Sequence, residues 1–301
     1  MRPAGLALLL AVLASAPAST LAAAGEVQPV LAEDFREACA EGPAPRLSLW
    51  RVSGGLDRAL RSQRLGCRPT AADGQALRIE VRPGDAYDPN PGGNPTERVE
   101  IQARQELVQF DRPVWYAFRF RLQPPWTETA SENRTVIHQV KQNIEEDHEI
   151  AYGGHCPSAN PFFKIEAGYR AALSGPGFVV KVRGTENCRD GGAPETVCGP
   201  WPLAAGAWHR VRVALKPSQR AGTGYLQVWL DGRACPVYRG ILGYVDFGKR
   251  LVDGTPFIDA QPRFGIYRDA LPGQVQAIEL AELLFWDADP AGDRRWDRPG
   301  P

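Results

Sequence analysis

A chain of 301 residues with 35 basic and 35 acidic side chains carries no formal net charge. That balance argues against a general binder of nucleic acid or of an anionic membrane surface, so any attraction for an anion has to be local. With 31 glycines, 27 prolines and no long helical periodicity, the composition points to many short elements joined by turns.

Residues 1–24 read as a secretory signal peptide, with Arg2, an apolar run from Leu6 to Leu13, and small residues ending at Ala22-Ala23-Ala24. The run is too short to span a bilayer, and no later stretch is long and apolar enough to do so. Residues 25–301 are then expected to form one domain, secreted or periplasmic and monomeric. Six cysteines suit an oxidising compartment. Cys188 and Cys198 flank a turn-rich stretch and are expected to bridge locally, Cys39 with Cys67 to tie down the N-terminal segment, leaving Cys156 for Cys235. None has metal-ligand spacing such as C-x-x-C, so no metal site is expected.

In chain order, residues 30–68 are irregular and read as an edge strand and loops. Residues 75–82 alternate, with Leu77, Ile79 and Val81 inward, and are followed by a Pro-, Gly- and Asn-rich loop at 83–95, long enough to be functional. Residues 98–104 alternate again, with Val99, Ile101 and Ala103 on one face and Arg98, Glu100, Gln102 and Arg104 on the other. The strongest strand is 115–122, where Tyr116, Phe118, Phe120 and Leu122 face a core while Trp115, Ala117, Arg119 and Arg121 face away. In 135–142, period two puts Val136, His138, Val140 and Gln142 on one face and Thr135, Ile137, Gln139 and Lys141 on the other. Further strands are expected at 162–167, 178–183, 208–215, 225–230, 263–267 and 277–286. The polar, Pro-rich end after Trp286 is expected to lie over the surface or fray. Many short strands with Gly and Pro turns predict an all-β antiparallel sandwich of jelly-roll type.

Three of these strands carry polar residues spaced by two, and so present them on one face of a sheet: Arg98-Val99-Glu100-Ile101-Gln102, Gln139-Val140-Lys141 and Arg263-Phe264-Gly265-Ile266-Tyr267. The set resembles the jelly-roll polysaccharide lyases, in particular the heparin lyase I-like and glucuronan lyase group, with a more distant likeness to alginate lyases. Those families line a concave groove with an Arg-x-Glu-x-Arg strand, a Gln-x-His strand and a Lys-x-Gly-x-Tyr strand. Gly206-Ala207-Trp208-His209 and Val228-Trp229-Leu230-Asp231-Gly232 serve as late landmarks of the same pattern.

The resemblance implies β-elimination on a uronate-containing polysaccharide. It makes Arg98 and Gln139 binders of the uronate carboxylate, Tyr267 the general acid and a candidate base, Arg263 a subsite cation, and Glu100 the partner that holds the arginines. Gln102 and Arg119 complete the expected substrate contacts. Lys141 stands where the family often has histidine, and Gln102 replaces the second arginine. A lysine base would need its pKa brought well below about 10, and His138, opposite Gln139 by parity, is the other candidate base. An anionic polysaccharide is the only partner implied, and no metal or organic cofactor is; a structural calcium is compatible with the sequence but not indicated by it.

Two rival readings compete. Glu145-Glu146-Asp147-His148-Glu149 has the carboxylate spacing of a jelly-roll glycoside hydrolase, but Glu146 and His148 could not pack into a core, so the run reads as a solvated loop. A non-catalytic carbohydrate-binding module would instead stack sugars on exposed Trp115, Trp126 or Trp201.

Overall fold

The computed structural model describes residues 27–53, 55–70, 74–89, 93–126, 133–142, 150–152, 161–187, 194–246, 249–251 and 259–298. Residues 1–24, expected to be a signal peptide, the acidic run at 145–149, Cys156 and Cys188 lie outside the described residues.

In chain order the strands are β1 (Leu31–Glu33), β2 (Trp50–Ser53), β3 (Leu65–Pro69), β4 (Gln75–Val81), β5 (Thr96–Ala103), β6 (Val108–Gln109), β7 (Val114–Leu122) and β8 (Thr135–Gln142). There follow β9 (Ile150–Tyr152), β10 (Phe163–Glu166), β11 (Tyr169–Arg170), β12 (Gly175–Val182), β13 (Gly184–Asn187), β14 (Glu195–Pro202) and β15 (Trp208–Lys216). The last are β16 (Gly224–Leu230), β17 (Arg233–Ala234), β18 (Tyr238–Gly240), β19 (Gly243–Asp246), β20 (Lys249–Leu251), β21 (Asp259–Asp269) and β22 (Gln276–Trp286). Two short helices, α1 (Arg58–Arg64) and α2 (Arg294–Asp297), complete the set.

One sheet runs β17-β16-β15-β7-β22-β4-β3 and the other β11-β12-β10-β8-β21-β5-β2. All pairings within both sheets are antiparallel. The chain crosses repeatedly between them, from β4 to β5, β7 to β8 and β21 to β22, which places long strands at the centre of both sheets. This is the antiparallel sandwich that the alternating strands predict.

The core between the sheets is built from the inward positions: Leu77, Ile79 and Val81 of β4, Val99 and Ile101 of β5, Tyr116, Phe118 and Phe120 of β7, and Phe264 and Ile266 of β21 are all fully buried. Each strand therefore shows the opposite parity to the outside. On the β7 sheet, the outward residues Arg119 and Arg121 sandwich Trp208, each with its guanidinium carbon 5.0 Å from the ring centroid. Arg119 and Arg210 also pair with Glu282. The C-terminal segment does lie over this face, docked by α2, whose Trp296 is buried against Trp286 and beneath Arg212.

Two expectations for 30–68 and the cysteines are corrected. The stretch contains the capped helix α1 and strands β1, β2 and most of β3 rather than one edge strand and loops. Cys39–Cys67 is bridged, but Cys198 bonds Cys235, which excludes both Cys188–Cys198 and Cys156–Cys235. The physical reason is burial: Cys198 lies on β14 with its side chain in the core, so it meets the cysteine that follows β17 of the opposite sheet and not its near neighbour in sequence.

Candidate active site

The outer face of the β8 sheet is polar, and the strand register determines what meets there. Arg51 on β2 pairs with Gln102 on β5, Gln102 with Arg263 on β21, Arg263 with Gln139 on β8, Gln139 with Lys164 on β10, and Lys164 with Lys181 on β12. A single row of side chains thus crosses six strands. On either side of it, Lys141 pairs with Gln261, while Arg98 pairs with Tyr267 and Tyr267 with Val136. The structure accordingly brings Arg98, Glu100, Gln102, Gln139, Lys141, Arg263 and Tyr267 to one face. Among the described residues that face carries Arg51, Arg98, Lys141, Lys164, Lys181 and Arg263 against the carboxylates of Glu100 and Glu166, an excess of positive charge in a chain of zero formal charge.

Its centre is built around Gly265. This residue has φ +146°, and a Cβ there would lie 2.3 Å from the Val99 carbonyl oxygen and 2.6 Å from the Glu100 Cα, so only glycine fits. With no side chain on β21 at this point, the Gln139 amide reaches across the strand from β8 and donates to Glu100 Oε1 on β5 at 2.5 Å. Glu100 is fully buried and its Oε2 has no hydrogen-bond partner. Glu100 therefore orients the glutamine, whereas the family pattern has it holding the arginines.

Arg263 and Tyr267 flank Gly265, each about 7 Å along β21 at two residues' remove. The Tyr267 ring is half-buried and lies beside two guanidinium groups, Arg98 at 5.7 Å and Arg134 at 5.1 Å from its centroid. Arg134 is held in turn by Asp269 at 2.8 Å.

Motif spacing does not reveal Lys164 and Lys181. Both contact the buried carboxylate of Glu166, at 2.8 and 3.0 Å, and Arg170 approaches the same group at 2.7 Å. Burial works against ionisation of Glu166, but Lys164 and Lys181 outweigh it and hold the carboxyl below the usual carboxylate range. Burial also pulls the Lys164 ammonium below the usual lysine range, opposed by Glu166. The sequence signal for this cluster is Lys164-Ile165-Glu166, the same period-two pattern on a predicted strand.

Two candidates leave the site. His138 is fully buried between the sheets, stacked on Phe264 at 4.5 Å. Its Nδ1–H donates to the Arg263 carbonyl at 2.9 Å and its Nε2 accepts from the Tyr116 hydroxyl at 2.7 Å. Desolvation lowers its pKa to about 3, so it is a neutral core residue that cannot face a substrate as base; what it does is hold the backbone of Arg263. Arg119 is on the far face of the other sheet, paired with Glu282 and Trp208. The tryptophans of the binding-module reading are also occupied. Trp126 is buried and donates to the Ala167 carbonyl at 3.1 Å, Trp115 packs with the Trp286 cluster, and Trp201 stacks on Phe178 beneath Arg233.

The late landmarks meet each other away from this face. His209 Nδ1 lies 2.7 Å from Asp231 Oδ2, and the other carboxylate oxygen accepts from the Arg210 amide, which clasps β15 to the turn after β16. Among the described residues no group of three or more His, Cys, Asp or Glu side chains is placed to hold a metal, and no helix is long and apolar enough to cross a membrane.

A family model described as Polysaccharide lyase matches residues 65–285. Among solved structures, the chain is similar to an endo-β-1,4-glucuronan lyase from the fungus Trichoderma reesei, with 17% identity and a TM-score of 0.55 over 87% of this chain and 99% of that one. It is also similar to the alginate lyase vAL-1 from Chlorella virus, with 11% identity and a TM-score of 0.50 over 86% of this chain and 99% of that one. Identities this low relate the folds alone. A search of curated protein sequences finds no significant match.

Proposed function

The chain belongs to the polysaccharide lyase family, and from that membership we propose that it is an exported enzyme that cleaves a uronate-containing polysaccharide by β-elimination on the polar face of the β8 sheet. The observation that carries this reading is the register row Gln102-Arg263-Gln139-Lys164, with Tyr267 four residues along β21 from Arg263.

The proton α to a uronate carboxylate is too weakly acidic to be removed while the carboxylate keeps its full charge. Arg263 and Lys164 supply positive charge on both sides of Gln139, whose amide has a second N–H to offer once the first is bound to Glu100. Donors fixed before the reaction stabilise the enolate-like intermediate without reorganising. Tyr267 is assigned both proton transfers: reacting as its phenolate it takes the proton α to the carboxylate, and the hydroxyl so formed gives that proton to the departing O4 of the neighbouring sugar as the C–O4 bond breaks. Arg98 and Arg134 fix its ring, and Lys141 lies one register step beyond the Arg263–Gln139 pair as a further cation. Bridged Cys39–Cys67 and Cys198–Cys235 support an oxidising compartment and hence export.

The test is incubation with polyglucuronate, alginate and heparin, following the ultraviolet absorbance of the conjugated unsaturated uronate that elimination leaves. New reducing ends without that chromophore would mean hydrolysis, and neither signal with any polymer would overturn the proposal.

A further inference from the structure

At the β2 end of the register row, the polar face runs into a pocket that the reaction does not use. The pocket has a volume of about 340 Å³, lies between β2 and α1, and is lined by Arg51, Arg58, Arg61 and Arg104 with Pro45 and Leu47 on its apolar wall. Among the described residues no acidic side chain lines it. Arg58 and Arg61 stand three apart on α1 and so share a helix face. Neither they nor Arg104 has an acidic partner among the described residues. Arg58, Arg61 and Arg104 therefore repel one another, and an anion would relieve the repulsion.

The pocket is also held in place. Asp57 caps α1 by accepting from the Ala59 amide, Arg64 at its end is buried against Asp85 at 2.6 Å, and the Cys39–Cys67 bridge secures the following strand β3. Arg51 both lines the pocket and ends the row that passes through Arg263 and Gln139. A polyanion laid across the strands therefore meets the pocket two strands from β21, about 10 Å away.

We propose that this pocket is a second anion site, which takes a uronate carboxylate of the same polysaccharide chain beyond the sugar being cleaved. The inference rests on the lyase reading of the polar face. Arg58 and Arg61 are exposed, and Ala replaces Arg in a helix at little cost, so the Arg58→Ala/Arg61→Ala variant should fold with unchanged thermal stability.

On the polyuronate that the wild type cleaves, the double variant should show KM raised about tenfold with kcat unchanged. Its cleavage of a disaccharide, which holds only the two sugars of the cleaved linkage and so does not reach the pocket, should equal wild type. An unchanged KM on the polymer, or an equal loss on polymer and disaccharide, would overturn the proposal. If the wild type cleaved no polyuronate, the lyase reading would fail on its own. Calorimetric affinities of polyglucuronate for wild type and double variant would still decide the pocket, equal affinities counting against it.

Discussion

Tyr267 is the residue on which the proposed chemistry turns. Tyr267→Phe keeps the ring between Arg98 and Arg134 and removes only the hydroxyl. Turnover should fall about 10²–10⁴-fold while polymer affinity and melting temperature stay near wild type, and near-full activity would remove Tyr267 from the mechanism. His138 makes a different prediction, about stability. Its folded pKa of about 3 lies below the ordinary value of 6.5, so between these limits the unfolded chain takes up a proton that the folded protein refuses. Its contribution is complete above about pH 6.5 and is lost as pH falls toward about 3, at about 1.4 kcal/mol per pH unit. Urea unfolding at pH about 7 and about 5 should show a wild-type loss that His138→Gln reduces, because a glutamine amide does not titrate. Glu166 is the third case: Glu166→Gln leaves Lys164, Lys181 and Arg170 buried or half-buried without their counter-charge. Breaking a buried ion cluster on one side costs about 3–5 kcal/mol, which should appear as a lower denaturation midpoint.

At the scale of the strand, period two is enough to read β4, β5, β7 and the polar residues of β21, because each alternates apolar with polar side chains and turns the apolar ones into the core between the sheets. It is not enough for β8. The register slips beside His138, so that Ile137 joins His138 in the core while Val136 pairs with Tyr267 and Glu166. An alternation pattern carries no sign of an inserted residue, and so the faces expected for Val136 and Ile137 came out exchanged. Helix α1 escaped for another reason. Seven residues are too few for helical periodicity to stand out, although Asp57 is a recognisable cap. Gly265 makes the β21 contribution testable. In Gly265→Ala the new Cβ meets backbone atoms of β5, which cannot swing aside, and the φ of +146° is itself unfavourable to alanine. Prising β21 from β5 there displaces Arg263 and Tyr267 together. Activity should fall at least about tenfold, with about 1–3 kcal/mol of stability lost in the same protein.

The two described disulfides make sense only for the sandwich as a whole. The sheets leave two flanks, one bounded by β17 of one sheet and the β12–β14 pair of the other, the second by β3 and β2. Cys198–Cys235 closes the first flank, and Cys39–Cys67 joins β3 to the loop that leads into β2 at the second. Partners of this kind are 37 and 28 residues apart and come together only once the strand order is known, whereas sequence proximity favours the local pairing of Cys188 with Cys198. Both bridges lie on the flanks of the sandwich, away from the Gly265 centre. Cys198→Ala/Cys235→Ala should therefore lower unfolding free energy by about 2–4 kcal/mol, the range for loops of this length, without changing kcat below the melting transition. Amide exchange should rise first in β14, β16 and β17, whose flank has lost its covalent closure, and stay protected in β8 and β21. Equal loss of protection at the centre of the β8 sheet would mean that the bridge shapes the reactive face and does more than close its side.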